Sequence, residues 1–161
     1  MEHMEIERKW RMAAFPEGIS TLPHTEIEQG YLCRKPVVRV RRDGEEYYLT
    51  YKSAGLMIRE EYNLPLTAEA YAHLIGKADG RLIQKKRYRK PLPAAGAEGA
   101  RELTAEIDVF HGELSGLLLL EVEFDSEEAA RGFTAPDWFG TEVTGDPAYS
   151  NAVLSEAGLP R

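Results

Sequence analysis

Polar and apolar positions alternate along much of the chain, with the period of two that places successive side chains on opposite faces of a strand. Residues 4–10, 25–33 and 37–42 show this pattern. Asp43-Gly44 then marks a hairpin into the aromatic, β-branched run 46–52. Ser53-Ala54-Gly55 turns the chain toward a further strand over 57–64, and the pattern returns over 81–90, 102–110 and 117–124. Helical signals are brief. Thr67 is placed to cap a helix running to about Gly76, and Ser126 one running to about Gly132. Asp146-Pro147, followed by 148–157 and Gly158, carries a cap, a first-turn proline and a terminating glycine. Residues 91–99 are rich in Pro, Gly and Ala and read as a loop. The pattern predicts one antiparallel, mainly β domain over 1–161, with a few helices packed around it.

Charge follows the same alternation. On the first strand Glu5, Glu7 and Lys9 leave one face, roughly 6.5–7 Å from one to the next. Arg39 and Arg41 alternate with Val38 and Val40, and Lys52 shares parity with Tyr48 and Thr50. Arg59, Glu61 and Asn63 form another set, as do Lys85 with Arg87, Glu106 with Asp108, and Glu121 with Glu123. Two readings stand at this point. Antiparallel sheets commonly carry one wet face, and these charges are then simply solvated. The faces opposite, rich in Val, Ile, Leu and Phe, must also be buried. If helices cover them from outside and the sheet closes on itself, the charged face becomes an interior. Buried charges of one sign need partners. An interior of carboxylates and cations matches a polyanion carried with a hard divalent metal, and a triphosphate fits that description.

Composition narrows the classes. The 161 residues are 43% hydrophobic and 29% charged, as in an ordinary globular protein, and the net charge of −7 argues against sequence-independent binding to nucleic acid. Cys33 is the only cysteine, so no disulfide framework or cysteine zinc site is expected. The longest aliphatic run, 117–120, is far too short to span a bilayer, and the acidic N-terminus shows no secretory signal; a cytoplasmic protein is the expectation. Neither a Walker-type phosphate loop, nor a G-x-S-x-G elbow, nor an H-E-x-x-H helix occurs. His3, His24, His73 and His111 are scattered, and Trp10, Trp138 and Phe139 read as core or covering aromatics.

The E-x-E-x-K start at Glu5-Glu7-Lys9, the R-x-R pair Arg39/Arg41, the K-x-R pair Lys85/Arg87 and the two acidic pairs together resemble the CYTH group of triphosphate tunnel metalloenzymes. The similarity runs from Glu5 to about Leu154. It is nearest to the short bacterial single-domain branch, through Glu28-Gln-Gly-Tyr-Leu32, Glu106-Ile-Asp-Val-Phe110, Leu120-Glu-Val-Glu-Phe124 and Tyr149-Ser-Asn151. The resemblance implies a closed eight-stranded antiparallel β-barrel with a charged tunnel, flanking helices and a C-terminal helix at one mouth. It also implies hydrolysis of a triphosphate with Mg²⁺ or Mn²⁺, inorganic tripolyphosphate being the expected substrate. Carried over by position, Glu5, Glu7, Glu121 and Glu123 would hold metal, with Glu61 and Asp108 completing the set and Glu106 as a further candidate. Arg39, Arg41, Lys52, Arg59, Lys85 and Arg87 would clamp phosphate oxygens. Lys9, Lys52 and Tyr31 would serve the chemistry, Tyr31 as a candidate proton acceptor.

Two departures from the family pattern matter. Only four residues precede Glu5, which leaves no room for the His-Phe element of the cyclase branch and sets an expectation against cyclase activity. Asn63 stands where relatives carry a further glutamate. Thiamine or nucleoside triphosphatase, a non-catalytic polyphosphate-binding module and a plain structural β-domain are the competing functions. The expected assembly is a monomer or homodimer.

Overall fold

The computed structural model describes residues 3–93 and 102–160. Eight strands follow the alternation: β1 (Met4–Arg11), β2 (His24–Arg34), β3 (Val37–Asp43), β4 (Glu46–Lys52), β5 (Ile58–Pro65), β6 (Asp79–Leu92), β7 (Leu103–Phe110) and β8 (Leu118–Glu123). They run in the order β5-β4-β3-β2-β6-β7-β8-β1, and antiparallel pairing of β1 with β5 closes the barrel. β1 makes the closure by changing partner along its length. Its first residues pair with β5 (Glu5 opposite Arg59), and Glu7 to Arg11 pair with β8. Between the strands lie α1 (Ala68–Ile75) and α2 (Glu127–Gly132). A two-residue strand β9 (Thr141–Glu142) adds to the free edge of β1, and α3 (Asn151–Ala157) ends the chain. Among the described residues no helix is long and apolar enough to cross a membrane.

Local chemistry explains most of these boundaries. Asp43 stays in β3, paired with Glu46, so the loop is Gly44-Glu45, and Gly44 supplies the left-handed φ of 62° that a two-residue hairpin requires. Thr67 and Ser126 cap α1 and α2 as expected, accepting from the backbone N–H of Ala70 and Ala129. The C-terminal helix differs from expectation. Asp146 caps only a 3-10 turn over Pro147–Tyr149; Ser150 is extended and caps α3 through the N–H of Val153, so the α-helix begins at Asn151. β6 is also longer than predicted and takes in Pro91 and Leu92 from the expected loop; beyond Pro93 that loop lies outside the described residues.

The barrel has its oil outside and its charge inside. Trp10, Leu118, Leu120, Val122, Ala105 and Ile107 point outward and pack under Ala130 of α2 and the aromatic pair Phe133 and Phe139. Burying side chains of this size stabilises by about 1.5–3 kcal/mol each. On the opposite flank β2 reads in alternation. Glu28 points out and accepts from the Tyr71 hydroxyl of α1 at 2.8 Å. Gly30 also points out, where a Cβ would stand 2.7 Å from that of Ala78 and 2.9 Å from Ile75 Cδ1, so only glycine lets this layer approach. Gln29 and Tyr31 point in. The inward face is not charged throughout: Tyr31, Ile83, Phe110, Leu117 and Leu119 form an apolar floor at one end, and Leu154 of α3 seals it. The C-terminal helix therefore sits at one mouth, as the resemblance implied.

Candidate active site

Above the floor lies a cavity of about 760 Å³. Every proposed site residue except Asp108 lines it: Glu5, Glu7, Lys9, Tyr31, Arg39, Arg41, Lys52, Arg59, Glu61, Lys85, Arg87, Glu121 and Glu123. Asp108 sits directly behind the wall, fully buried. Closure of the barrel gathers these groups, since each strand contributes only one to three of them.

Register sorts the charges into pairs. Across the β3/β4/β5/β1 arc, Lys52 stands opposite Glu61, and its ammonium donates to both Glu5 oxygens at 3.0 and 3.1 Å and lies 3.3 Å from Glu61. Arg59 bridges Glu5 and Glu7 at 3.5 and 3.7 Å. Burial pushes the Glu5 carboxyl up against the pull of Lys52. Glu61, although burial opposes it, is drawn down to about 2 by Glu5 and Lys52. On the β6/β7 wall, Asp108 accepts from Arg87 Nε and Nη2 at 2.8 and 2.9 Å and forms an ion pair with the Lys85 ammonium at 2.7 Å. The two cations outweigh the cost of burial and hold the Asp108 carboxyl below its usual range. Lys85, with no exposed surface, is pulled down to about 7 by burial despite Asp108. Lys9 lies 3.5 Å from Glu121 and donates to the Tyr149 carbonyl at 3.2 Å; burial disfavours its charge, but Glu121 and Glu7 more than compensate.

Two regions break this neutrality in opposite senses. Where β1, β8 and β7 meet, Glu7 stands directly opposite Glu123 and Glu106 opposite Glu121. Like charges so placed repel. Glu7 is pushed up to about 8 by burial, Glu121 and Glu5, and Glu123 up to about 7 by burial, Glu5 and Glu61. Glu121 alone of this group is held well below the carboxylate range, because Lys9, Arg87 and Lys85 overcome its burial. On the β3 wall the excess is positive. Arg39 is 5% exposed, has no ion-pair or hydrogen-bond partner among the described residues, and its Nε is orphaned. Arg41 donates Nε to Gln29 Oε1 at 2.7 Å and meets no carboxylate among the described residues; burial, Arg39 and Arg87 all weaken its hold on the proton. One wall thus carries guanidiniums without a carboxylate partner among the described residues, and the facing wall crowds its carboxyls together.

Tyr31 belongs to the apolar floor, with its hydroxyl at the lumen border accepting from Gln29 Nε2 at 3.3 Å. Among the described residues no three His, Cys, Asp or Glu side chains converge tightly enough to ligate a metal as they stand. The donor chemistry still fits one. Glu7, Glu123, Glu121 and Glu106 are all-oxygen donors, and burial with like-charged neighbours raises Glu7 and Glu123, which a bound cation would offset. Sequence reasoning missed Gln29 and Asn151. Both are neutral amides, invisible to a search for charge; Asn151 Oδ1 accepts from Lys85 at 3.1 Å and from Gln29 at 3.3 Å.

No family model matches the chain. It is 42% identical over 154 residues to a protein of Nitrosomonas europaea named inorganic triphosphatase, an alignment covering 94% of this chain and 96% of that one. It is 40% identical over 156 residues to an inorganic triphosphatase of Acetivibrio thermocellus, covering 93% and 92%. The crystal structure of the inorganic triphosphatase NE1496 superposes with a TM-score of 0.68 at 38% identity, covering 97% of each chain.

Proposed function

Because the chain belongs to the CYTH triphosphate tunnel metalloenzymes, in their short bacterial inorganic-triphosphatase branch, we propose that it hydrolyses the terminal phosphoryl group of inorganic tripolyphosphate, giving pyrophosphate and phosphate. Membership in that family implies dependence on a divalent metal, for which Mg²⁺ or Mn²⁺ suits the carboxylate set. The observation that carries the reading is the pair of buried guanidiniums, Arg39 and Arg41, that face the lumen with no carboxylate in ion-pair contact among the described residues. Such groups are stable only where an anion is expected, and planar guanidinium donors match phosphate oxygens two at a time.

In this reading Arg39, Arg41, Lys85 and Arg87 grip the chain of phosphates from one side. Asp108 fixes Lys85 and Arg87 in place and keeps their donors aimed. Arg59, Lys9 and Lys52 contact oxygens nearer the carboxylate wall. Glu7, Glu121 and Glu123 would hold the metal, with Glu5 and Glu61 beside Lys52. When bound, the divalent cation would neutralise phosphate oxygens and acidify a water molecule. Tyr31 and Lys52 orient the attacking water. Its oxygen bonds to the terminal phosphorus while the bond to the bridging oxygen breaks; the water's proton passes to solvent or to the departing pyrophosphate, and Lys9 offsets charge on the groups that separate. Positioning and charge stabilisation supply most of the acceleration, as expected for a loose phosphoryl transition state.

A panel of tripolyphosphate, pyrophosphate, ATP and thiamine triphosphate, assayed for phosphate release with Mg²⁺ and with Mn²⁺, tests the proposal. Fastest release from tripolyphosphate supports it. Faster turnover of an organic triphosphate would reassign the substrate, and binding without release would make the protein a polyphosphate-binding module.

A further inference from the structure

The lumen cations are held by two kinds of acceptor. Lys52, Arg59, Arg87, Lys9 and Lys85 lean on carboxylates. Arg41 meets no carboxylate among the described residues, and its Nε donates to a neutral amide, Gln29 Oε1, at 2.7 Å. Gln29 is fully buried, and its own Nε2 donates at 3.3 Å to Asn151 Oδ1, the first residue of α3. The same Asn151 oxygen takes a second bond, from Lys85 Nζ at 3.1 Å. Two amides in series thus tie the helix at the closed mouth to two phosphate-facing cations on different strands, β3 and β6.

Amides differ from carboxylates in one decisive respect. An amide oxygen orients a guanidinium or ammonium through a hydrogen bond, yet leaves its charge unneutralised and available to an incoming anion. A glutamate at 29 would be nearly isosteric and would bond Arg41 at least as well, but it would neutralise that charge and repel phosphate. We propose that Gln29 and Asn151 are positioning residues for substrate binding: Gln29, itself held by Asn151, fixes Arg41 in the lumen without neutralising it, and Asn151 orients the Lys85–Asp108 pair without adding a second carboxylate, so that positive charge remains available to the phosphate chain. This inference rests on the triphosphate reading of the lumen.

The test compares wild type with Gln29→Glu, Gln29→Met and Asn151→Asp. Three quantities are read: melting temperature, calorimetric affinity for tripolyphosphate without divalent metal, and steady-state hydrolysis with metal. Gln29→Glu and Asn151→Asp should melt within a few degrees of wild type, yet bind tripolyphosphate about tenfold more weakly. Their KM should rise by a similar factor while kcat changes by less than about threefold. Gln29→Met, which removes the acceptor but adds no charge, should weaken binding by only about threefold. A purely structural role predicts the reverse order, with Gln29→Met the worse in melting temperature and the glutamate variant wild-type in affinity; that result overturns the inference. If Gln29→Glu does not fold, Asn151→Asp decides by the same criterion. Wild-type protein that binds tripolyphosphate without hydrolysing it would refute the triphosphatase reading while the affinity comparison still judges this one. Wild-type protein that binds tripolyphosphate neither alone nor with Mg²⁺ would overturn both.

Discussion

Replacing Arg39 by methionine should make the protein more stable and less active. Arg39 is 5% exposed, its Nε has no partner, and no carboxylate pairs with it among the described residues. An unsatisfied buried polar group costs about 1–3 kcal/mol, and more when charged. Neighbouring Arg41 adds repulsion, since each guanidinium disfavours the other's charge. The cavity on one side supplies some solvation, so the lower range applies. Removing the charge while keeping a flexible chain of similar length should stabilise by about 1–3 kcal/mol, a rise in melting temperature of about 2–12 °C for a chain of this size. The same change removes a charge-assisted contact to phosphate worth about 1.5–3 kcal/mol, so kcat/KM should fall by about 10–150-fold.

The assay pairs a thermal melt with phosphate release from tripolyphosphate. A third arm repeats the melt with tripolyphosphate present: ligand at a hundred times its Kd should stabilise the wild type by about 2.7 kcal/mol, and the variant by clearly less at the same concentration. A variant that melts lower than wild type and hydrolyses normally would refute the reasoning, because Arg39 would then be a structural residue satisfied by the empty protein.

Asp108→Asn should act in the opposite direction, since it leaves Lys85 and Arg87 buried without their shared counter-ion; a loss of about 3–5 kcal/mol lowers the melting temperature by about 6–20 °C, and added tripolyphosphate should recover more of it than it adds to wild type. Metal and proton compete for Glu7 and Glu123, which are pushed up to about 8 and about 7. Apparent metal affinity should therefore tighten as pH rises toward 8, by up to about tenfold per unit for each proton displaced, and Glu7→Gln should weaken the metal and flatten this dependence in a calorimetric titration. The same shifts set the stability of the metal-free protein. Both carboxyls hold their protons more tightly folded than unfolded, so their contribution is full below about pH 4.5 and is lost as pH rises through 7 to 8. The melting temperature should fall between about pH 5 and 6.5, where Lys85 is charged in both states, and a rising curve there would contradict the assignment.

The strands and the identity of the charged residues could be read from the chain because a period of two survives any tertiary context. Closure could not: alternation is the same for a wet open sheet and for a barrel with a charged lumen, and only the family resemblance separated them. Register was equally hidden. That Glu7 faces Glu123 rather than a lysine depends on where β1 stops pairing with β5 and begins pairing with β8. Parity also misled at one end. Ile83, Phe110 and Leu119 share a face with Lys85, Asp108 and Glu121, yet form the apolar floor, because that face passes from lumen to seal along each strand. Asp146 and Ser150 are both good caps, and only packing of Leu154 over the floor selects Ser150. β9 had no signal, two residues being too few to show a period.

Charge balance explains why such a lumen folds and what it can admit. Seven cations line the cavity; against them stand Glu5, Glu7, Glu61, Glu106, Glu121 and Glu123 on the wall and Asp108 behind it, with Glu45 and Glu46 at the β3–β4 turn. The interior is close to neutral as a whole but not locally, because its groups are segregated: cations without a carboxylate at Arg39 and Arg41, crowded carboxyls that favour their protons at Glu7 and Glu123. A polyanion entering alone would satisfy the first pair and worsen the second, and a bare divalent cation would do the converse. Each would carry several charges into a poorly solvated space, where uncompensated charge is expensive. Together they cancel, and each settles against the wall that lacks it. Cooperative binding of metal and tripolyphosphate therefore follows from the walls themselves: either ligand should bind markedly more tightly in the presence of the other, by equal factors as linkage requires. Independent affinities would mean that the segregation of charge plays no part in binding.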